Sequence, residues 1–305
     1  MAEFVEANSG DSGLYRGCPP WHVRVRRGER MRVLVTGGDG FIGAYTIDAL
    51  RRARHEPQRF DRSSSPGNDV CNPDALAEAA RSCDAVIHLA GVLGTAELFD
   101  NPSLAVSTNV QGTLNVLQVC ESYGLRFVGI TMPDVWSNVY QATKQCARRL
   151  ASAWHQFKGL SVTHVRAFNA YGPGQKVFGV QKIVPTFAYR AWHRLPLPIW
   201  GDGEQTVDLV HAEDVGRMLV LALDHGGRDE VFDAGTGKRM SVNEVADLVL
   251  EIARSDAGKE YLPMRAGEHA TDVVASGDGW ASLPWHPIFD EDRIVDTIYS
   301  YRPGA

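Results

Sequence analysis

The sequence predicts an α/β fold in which a doubly wound parallel sheet is joined to a smaller C-terminal α/β domain. Buried apolar strands alternate with helical segments, and the first strand, residues 33–35, leads through a glycine-rich turn into a helix over residues 42–52. The length of 305 residues allows one large or two interlocked domains. We expect residues 31–170 plus about 205–235 in the first domain and about 171–204 plus 236–305 in the second.

The turn after the first strand has the spacing of a pyrophosphate-binding loop. Gly38, Gly40 and Gly43 satisfy GxGxxG, and Gly37, Gly40 and Gly43 satisfy the related GxxGxxG. Glycines at these positions let the backbone turn tightly and bring a pyrophosphate against the helix N-terminus. The bare motif is weak evidence, but strand, turn and helix stand in the order that it requires. The alternative is a glycine-rich loop that serves packing alone.

The second strand, predicted at residues 57–61, ends in an acid. Asp61 lies 24 positions after Gly37, near the spacing at which an acid accepts hydrogen bonds from the adenosine ribose and repels a 2′-phosphate. This favours NAD over NADP, although the guanidinium of Arg62 could hold the phosphate. The alternative for Asp61 is a solvated acid in a turn.

Capping patterns and apolar runs predict the following elements. Asn72 and Asn101 each precede a proline in the pattern of an N-cap and first-turn proline, and the second pair opens a helix to about Tyr123. His88 lies inside an apolar strand and is interpreted as structural. Further predicted elements are strands over residues 84–91 and 126–131, a helix with its turn over 180–197, and a helix that starts with a capping box of Ser241 and Glu244.

Tyr140 and Lys144 form a YxxxK pair at the start of a helix predicted to run to about Phe157. The spacing places the phenol and the ammonium on one helix face, a turn apart. A free tyrosine has a pKa near 10, so a base near pH 7 needs its pKa lowered by about 3. Lys144 and an oxidised nicotinamide ring are cations of the kind that lower it. By itself, the pair is a common accident on amphipathic helices.

Taken together, these features resemble the extended short-chain dehydrogenase/reductase family, specifically its NAD-dependent nucleotide-sugar epimerase and dehydratase branch, from Met31 to about Arg302. The segments that carry the resemblance are TGGDGFIG at 36–43, Asp61, HLAG at 88–91, NVQGTLNVL at 109–117, YxxxK at 140–144, RAFNAYGPGQ at 166–175, WGDGEQTVDLVHAEDV at 200–215 and FDAGTG at 232–237. The resemblance implies a Rossmann-like NAD-binding domain, a nucleotide-sugar domain and a homodimer that pairs through the helices of Asn109 and Tyr140.

The resemblance also implies roles for individual residues. Tyr140 is the acid/base for hydride transfer, and Lys144 binds the nicotinamide ribose while tuning Tyr140. Asn169 and Arg265 contact the diphosphate of the nucleotide sugar, although Arg265 could equally be a surface residue of a loop. The residues implied to bind NAD are Gly37, Gly40, Phe41, Ile42, Gly43, Asp61, Asp69, Val70, Leu89, Ala90, Gly91, Asn109, Tyr140 and Lys144.

The chain departs from the family in its catalytic region. Met132 stands where the family has a serine or threonine that hydrogen-bonds the reacting sugar oxygen; Thr131 can replace it only if the strand bulges or slips. The connection from Met132 to Tyr140 is short, so the pocket is either more open or closed by another segment. Val207 replaces an arginine on the substrate diphosphate. Asp134 matches an acid that moves a proton in dehydratases and decarboxylases, or else it caps or turns the chain.

The expected function is an NAD-dependent nucleotide-sugar epimerase, similar to UDP-glucose 4-epimerase, that works by transient oxidation to a keto-sugar. The substrate implied by the resemblance is a UDP- or dTDP-sugar. One alternative is a dehydratase or decarboxylase of the same family. An alternative of another class is a catalytically impaired NAD-binding partner or sensor protein, which the changes at Met132 and Val207 motivate.

Charge and cysteine content indicate which kinds of partner and which cellular compartment to expect. The net charge of -6 gives no electrostatic reason to expect nucleic acid or an acidic membrane, and no apolar run has the length of a membrane span. Five cysteines without CxxC spacing indicate neither a disulfide framework nor a metal site, and they fit a reducing cytoplasm. Residues 1–30 are predicted to form a flexible N-terminal extension, with the domain itself starting at Met31. The extension is interpreted as a long leader or an upstream-start artefact in preference to a basic docking arm.

Overall fold

The computed structural model describes residues 29–276, 283–288 and 291–304. Residues 1–28, which make up most of the predicted N-terminal extension, lie outside the described residues. Within the described ranges, no helix combines the length and the hydrophobicity needed to cross a membrane.

The secondary structure alternates between strands and helices over most of the chain. The strands are β1 (Arg32–Thr36), β2 (Glu56–Phe60), β3 (Ala85–His88), β4 (Arg126–Thr131), β5 (Val162–Ala167), β6 (Asn169–Tyr171), β7 (Leu197–Trp200), β8 (Thr206–Val207), β9 (Leu209–His211), β10 (Arg228–Ala234), β11 (Met240–Ser241) and β12 (Lys259–Leu262). The helices are α1 (Phe41–Arg52), α2 (Pro73–Ala80), α3 (Pro102–Ala105), α4 (Gly112–Tyr123), α5 (Val139–Lys158), α6 (Ile183–Trp192), α7 (Ala212–His225), α8 (Val242–Ala253) and α9 (Glu291–Tyr299), with a 3-10 turn at Glu97–Phe99 and a π-helical segment at Val106–Gln111.

Among the described residues, six strands form one parallel sheet in the order β10-β5-β4-β3-β1-β2. The chain passes from β1 through α1 to β2 on one side of β1, whereas β3 pairs with β1 on the other side. The loops that follow β1 and β3 therefore separate and leave a crevice at the carboxyl edge of the sheet. The predicted doubly wound parallel sheet of the Rossmann type is confirmed.

Helices cover both faces of this sheet because successive strand residues point to opposite sides. Val33 and Val35 belong to the core on the α1 and α7 face, whereas Leu34 belongs to the core on the α2, α4 and α5 face. All three side chains are fully buried. Burial on both faces explains why these strands read as continuous apolar runs in the sequence.

Three helix starts carry the predicted caps. The Asn72 and Asn101 side chains each accept a first-turn backbone N–H, both at 3.2 Å, at the starts of α2 and α3. Ser241 and Glu244 form a reciprocal capping box at the start of α8, with bonds of 3.1 and 2.7 Å. These predictions are confirmed because a cap depends on residues within one turn of the helix.

The single helix predicted from Asn101 to about Tyr123 is wrong in one respect. After the short α3, the chain forms a π-helical segment at Val106–Gln111 before it continues as α4. A π-helical turn shifts the faces on which the following side chains lie. Asn109, in the middle of this segment, is only 2% exposed.

The C-terminal elements pack around a core of their own. Phe187 of α6, Val245 of α8 and Ile298 of α9 belong to one buried cluster, together with residues of β7. β7 pairs with β12, and β8 pairs with β11. This group corresponds to the predicted smaller domain, whose residue boundaries stay a prediction.

Asp208 joins three segments that are distant in sequence. It is fully buried, and its carboxylate accepts hydrogen bonds from Thr236 N (2.7 Å), Thr236 Oγ1 (2.6 Å), Gly237 N (2.9 Å) and Ala275 N (3.0 Å). Thr236 and Gly237 follow β10, and Ala275 lies beyond β12. A carboxylate in this position is stable without water because its oxygens have several donors.

We expect Asp208→Ala to lower the free energy of unfolding by about 3 kcal/mol or more, because buried donors lose their acceptor. Urea unfolding measures the change. The matched control is Asp202→Ala, since the exposed Asp202 accepts from Glu204 N at 3.0 Å in a surface turn. Equal losses for the two variants would contradict the joining role of Asp208.

Candidate active site

A cavity of about 600 Å³ lies at the carboxyl edge of the sheet, beyond the ends of β1, β3 and β4. Its opposite wall comes from the C-terminal elements and includes Lys182, Val207 and Arg265. All predicted site residues except Asn109 and Asp134 line it. These residues are Gly37, Gly40, Phe41, Ile42, Gly43, Asp61, Asp69, Val70, Leu89, Ala90, Gly91, Thr131, Tyr140, Lys144, Asn169 and Arg265.

The turn between β1 and α1 forms a backbone cradle on this cavity. Gly37 has a φ of 71°, and a Cβ there would lie 2.7 Å from the nitrogen of Ala90. A Cβ at Gly43 would lie 2.1 Å from the oxygen of Gly37. α1 begins at Phe41 without a side-chain cap at Gly40, so its first N–H groups face the turn. These donors and the helix dipole favour an anion, and the cradle fits the pyrophosphate of a dinucleotide.

Two acids occupy the end of the cavity where the sequence predicts the adenosine. Asp61 accepts a hydrogen bond from Asp39 N at 3.1 Å, and Asp69 pairs with the guanidinium of Arg62 at 3.3 Å. A 2′-phosphate would compete with the Asp69 carboxylate for Arg62 and would be repelled by Asp61. The arrangement favours NAD over NADP.

Asn109 lies behind the cavity wall rather than on it, and its predicted contact with the cofactor stays a prediction. Its side chain accepts from Val92 N at 2.8 Å and donates to Val92 O at 2.9 Å. It also donates to Thr143 Oγ1 at 3.0 Å, next to Lys144 on α5. Asn109 therefore holds Val92, which lines the cavity, against the helix that carries the YxxxK pair.

His88 is part of a buried chain of hydroxyl contacts. Nδ1 lies 2.7 Å from Thr36 Oγ1, and Nε2 lies 3.0 Å from Thr113 Oγ1. Burial lowers the pKa of His88 to about 3, so the ring is neutral at physiological pH. This geometry fits the structural interpretation of His88.

Tyr140 and Lys144 line the cavity from the first turns of α5, which Asn138 caps by accepting from Gln141 N at 2.9 Å. Burial raises the pKa of Tyr140 to about 12 and lowers the pKa of Lys144 to about 8. We expected Lys144 to lower the pKa of Tyr140. In the protein without ligands, burial is the largest influence on both pKa values, because removal from water disfavours the charged form of each group.

Thr131 lines the cavity although β4 has no bulge. The pairing of β4 with β5 is regular from Phe127 to Thr131. Thr131 reaches the cavity without the expected bulge or slip because the strand ends at this residue, and its role as the donor stays a prediction. Thr131 is 5% exposed, and its hydroxyl has no hydrogen-bond partner among the described residues. An unpaired buried hydroxyl next to a cavity is a candidate donor to a ligand, although its oxygen is not exposed to solvent in the protein alone.

Asp134 is exposed and does not line the cavity, in contrast to its predicted catalytic position. Its Oδ1 accepts a hydrogen bond from Gln141 Nε2 at 2.6 Å. The neighbouring residues Pro133, Val135 and Trp136 do line the cavity. The side chains of Pro133, Val135 and Trp136 thus face the cavity, whereas the Asp134 carboxylate faces outward. This placement matches the alternative interpretation of Asp134 as a residue that turns the chain.

Residues 264–269, named the closing segment below, cover the side of the cavity that the short connection leaves open. Trp136 Nε1 donates to His269 O at 3.1 Å, and Asn138 Nδ2 donates to Gly267 O at 3.3 Å. Thr95 donates to Glu268 from the other rim. Of the two predicted possibilities, the structure has the pocket closed by another segment. Sequence reasoning placed Arg265 of this segment at the diphosphate, but it did not predict that the segment contacts the short connection, because no local pattern links two loops so distant in the chain.

The cations at the predicted diphosphate position are already near carboxylates. Arg265 pairs with Glu97 at 2.7 Å and with Glu268 at 3.4 Å. Burial is the largest influence on Lys182 and lowers its pKa. Lys182 lines the cavity together with Val207, the position at which the family arginine is missing. Sequence reasoning missed Lys182, whose only signal was a lone lysine before the apolar helix α6.

We expect Gly43→Ala to weaken NAD binding by about tenfold or more, an effect of about 1.4 kcal/mol, because the added Cβ must displace the backbone cradle. Titration calorimetry with NAD measures the change. Gly67→Ala is the matched control, since a Cβ there would meet nothing within 4 Å. Unchanged affinity in Gly43→Ala would contradict the assignment of the cradle.

Solved structures with two different activities resemble this fold. The UDP-glucose 4-epimerase of Thermotoga maritima, solved with UDP-glucose, has a TM-score of 0.83 and 26% identity over 90% of this chain and 99% of its own. The dTDP-glucose 4,6-dehydratase of Streptomyces venezuelae, solved with NAD, has a TM-score of 0.82 and 26% identity over 90% of this chain and 98% of its own.

Sequence comparison gives a relative with a third activity and a family. UDP-glucuronic acid decarboxylase 1 of Arabidopsis thaliana is 28% identical over 92% of this chain and 71% of its own length. The model of the NAD dependent epimerase/dehydratase family matches residues 33–132 and 130–235. The cofactor of this family is NAD, which the backbone cradle fits. Because the match extends over more than half of the chain, this protein belongs to the NAD dependent epimerase/dehydratase family.

Proposed function

We propose that the protein is an NAD-dependent nucleotide-sugar epimerase, similar to UDP-glucose 4-epimerase. It oxidises one carbon of the sugar transiently to a ketone and reduces it again with inverted configuration. One observation carries this proposal: Tyr140 and Lys144 line the same cavity as the glycine cradle. A phenol and an ammonium beside a dinucleotide site suit proton removal coupled to hydride transfer.

Tyr140 moves the proton. Its oxygen takes the proton of the sugar hydroxyl as the carbinol carbon becomes a carbonyl, and gives it back when the alcohol is restored. When bound, NAD supplies the hydride acceptor and then the hydride donor for that carbon. Lys144 holds the nicotinamide ribose and, below its pKa of about 8, keeps a positive charge beside the phenol. Rotation of the keto-sugar between the two transfers gives the epimer.

Thr131 takes the role of the hydroxyl donor that Met132 cannot fill. It lines the cavity at the end of β4, and its Oγ1 has no partner among the residues that the structure describes. A donor to the sugar oxygen stabilises the charge that develops there as the hydroxyl proton leaves.

The substrate is a UDP- or dTDP-sugar whose diphosphate lies against Asn169, Arg265 and Lys182. All three line the cavity. Lys182 supplies a cation on the wall where Val207 lacks one. The carboxylates on Arg265 must yield part of their contact to the diphosphate, because a guanidinium binds both through the same donors.

A dehydratase or decarboxylase is the second candidate, favoured by the likeness to the Streptomyces and Arabidopsis enzymes. Either reaction needs a further group at the sugar besides Tyr140. Asp134 was the candidate for that group, but its carboxylate is exposed and bonded to Gln141. Epimerisation needs no such group, and we therefore prefer it.

A homodimer paired through the helices of Asn109 and Tyr140, and a cytoplasmic location, are further parts of the proposal. The first rests on the family resemblance. The second rests on cysteine usage, and Cys71, Cys83, Cys120 and Cys146 are all free thiols in the described part of the chain.

Incubation with NAD and a panel of UDP-, dTDP-, GDP- and CDP-sugars tests the reaction by mass spectrometry and NMR. We expect an isomer of unchanged mass, and a loss of about 100-fold or more in Tyr140→Phe with NAD still bound. The control is Tyr123→Phe at the exposed end of α4.

A product that has lost water or carbon dioxide would favour the second candidate, a dehydratase or decarboxylase, over an epimerase. NAD binding without any product would support the impaired NAD-binding protein.

We expect Thr131→Val to reduce kcat/KM by about 100-fold, by analogy with other donors to a developing oxyanion. Because the hydroxyl has no partner among the described residues, its removal should leave the midpoint of urea unfolding unchanged or slightly raised. Steady-state kinetics and urea unfolding on the same preparation separate the two effects. Full activity would exclude Thr131 as the donor.

A further inference from the structure

The side chain of Gln141 binds three residues of the connection between β4 and α5. Its Nε2 donates to Pro133 O at 2.9 Å and to Asp134 Oδ1 at 2.6 Å, and its Oε1 accepts from Trp136 N at 3.3 Å. Gln141 is 3% exposed. A primary amide has two donor hydrogens and an acceptor oxygen, and all of them are used in these contacts.

These contacts determine which atoms of the connection face the substrate. Pro133 and Trp136 line the cavity, whereas the Asp134 carboxylate between them is exposed. Trp136 also donates through Nε1 to the closing segment at His269 O, at 3.1 Å. One glutamine, adjacent to Tyr140 in the chain, thus holds both the inner wall and its attachment to the closing segment.

We propose that Gln141 is a positioning residue of the sugar subsite: it holds the Pro133–Trp136 wall against the helix of Tyr140 and keeps the Asp134 carboxylate out of the cavity. This inference rests on the proposed nucleotide-sugar function. Gln141 touches none of the reacting atoms; it acts through the wall that sets the position of the sugar relative to the phenol. Small displacements of a bound substrate are costly because the reacting atoms must lie in line.

Gln141→Glu is the sharpest change because it keeps size and shape. The new carboxylate retains the acceptor for Trp136 N but faces the Asp134 carboxylate and the Pro133 carbonyl without a hydrogen to donate. Adding Asp134→Asn returns a donor to the contact with residue 134, while the contact with Pro133 stays unmatched. The double variant should therefore recover part, but not all, of the lost function.

The test measures kcat and KM for UDP-glucose and, by calorimetry, the affinities for NAD and for UDP-glucose on the NAD-loaded full chain. We expect Gln141→Glu to lower kcat/KM by about 10- to 100-fold and to weaken UDP-glucose binding, with NAD affinity unchanged. Asp134→Asn should lose less than Gln141→Glu, and the double variant should lie between them. Gln156→Met, at an exposed glutamine on the same helix, is the control.

Three results would overturn the inference: wild-type kinetics in Gln141→Glu, an equal loss of NAD affinity, or no recovery in the double variant. A purely structural role would lower the affinities for NAD and UDP-glucose together. If the wild type binds UDP-glucose but converts no sugar, the proposed function fails, whereas Gln141 is still judged by UDP-glucose affinity across the variants. If the wild type binds neither UDP-glucose nor any other UDP- or dTDP-sugar of the panel, both proposals fail.

Discussion

The close approach of backbone to backbone between Gly37 and Gly43 is the constraint on which the rest of the site depends. A Cβ at residue 43 would lie only 2.1 Å from the Gly37 oxygen. α1 can therefore start beside the end of β1 only because residue 43 is a glycine. A Cβ at Gly37 would lie 2.7 Å from Ala90 N and 2.8 Å from Leu89 C, so the loops after β1 and β3 approach closely at the point where the strand order reverses. The cavity and the direction of the free N–H groups follow from this contact.

The fold was predictable wherever the signal was local. β4 has its predicted limits because residues 126–131 form a short apolar run, and the Asn72 and Asn101 caps depend on neighbours within one turn. The π-helical segment at Val106–Gln111 was not predictable, because hydrophobic periodicity tolerates one widened turn. Its consequence, a buried Asn109, arises from contacts with Val92 and α5 that no local pattern records.

The site was predictable as a set of positions but not as a set of side-chain directions. Motif residues such as Tyr140 line the cavity because the motif fixes their helix face. Asp134 lies in the predicted catalytic connection, but its carboxylate is held outward by Gln141. The sequence around Asp134 does not indicate this partner. Lys182 and the contacts between the closing segment and the short connection were missed for the same reason, since they exist only after the C-terminal elements have packed.

Burial gives the cavity an electrostatic character that the sequence could not supply. It raises the pKa of Tyr140 to about 12, lowers the pKa of Lys144 to about 8, and lowers the pKa of Lys182. All three groups are thereby pushed toward neutrality, but the exclusion of water also strengthens each charge–charge interaction inside. An anion bound at Lys182 favours its ammonium form and raises its pKa, and a cation beside Tyr140 favours its phenolate. The fraction of Tyr140 that is ionised to phenolate is therefore set by the charges that enter with the ligands, and it is smallest in the protein alone.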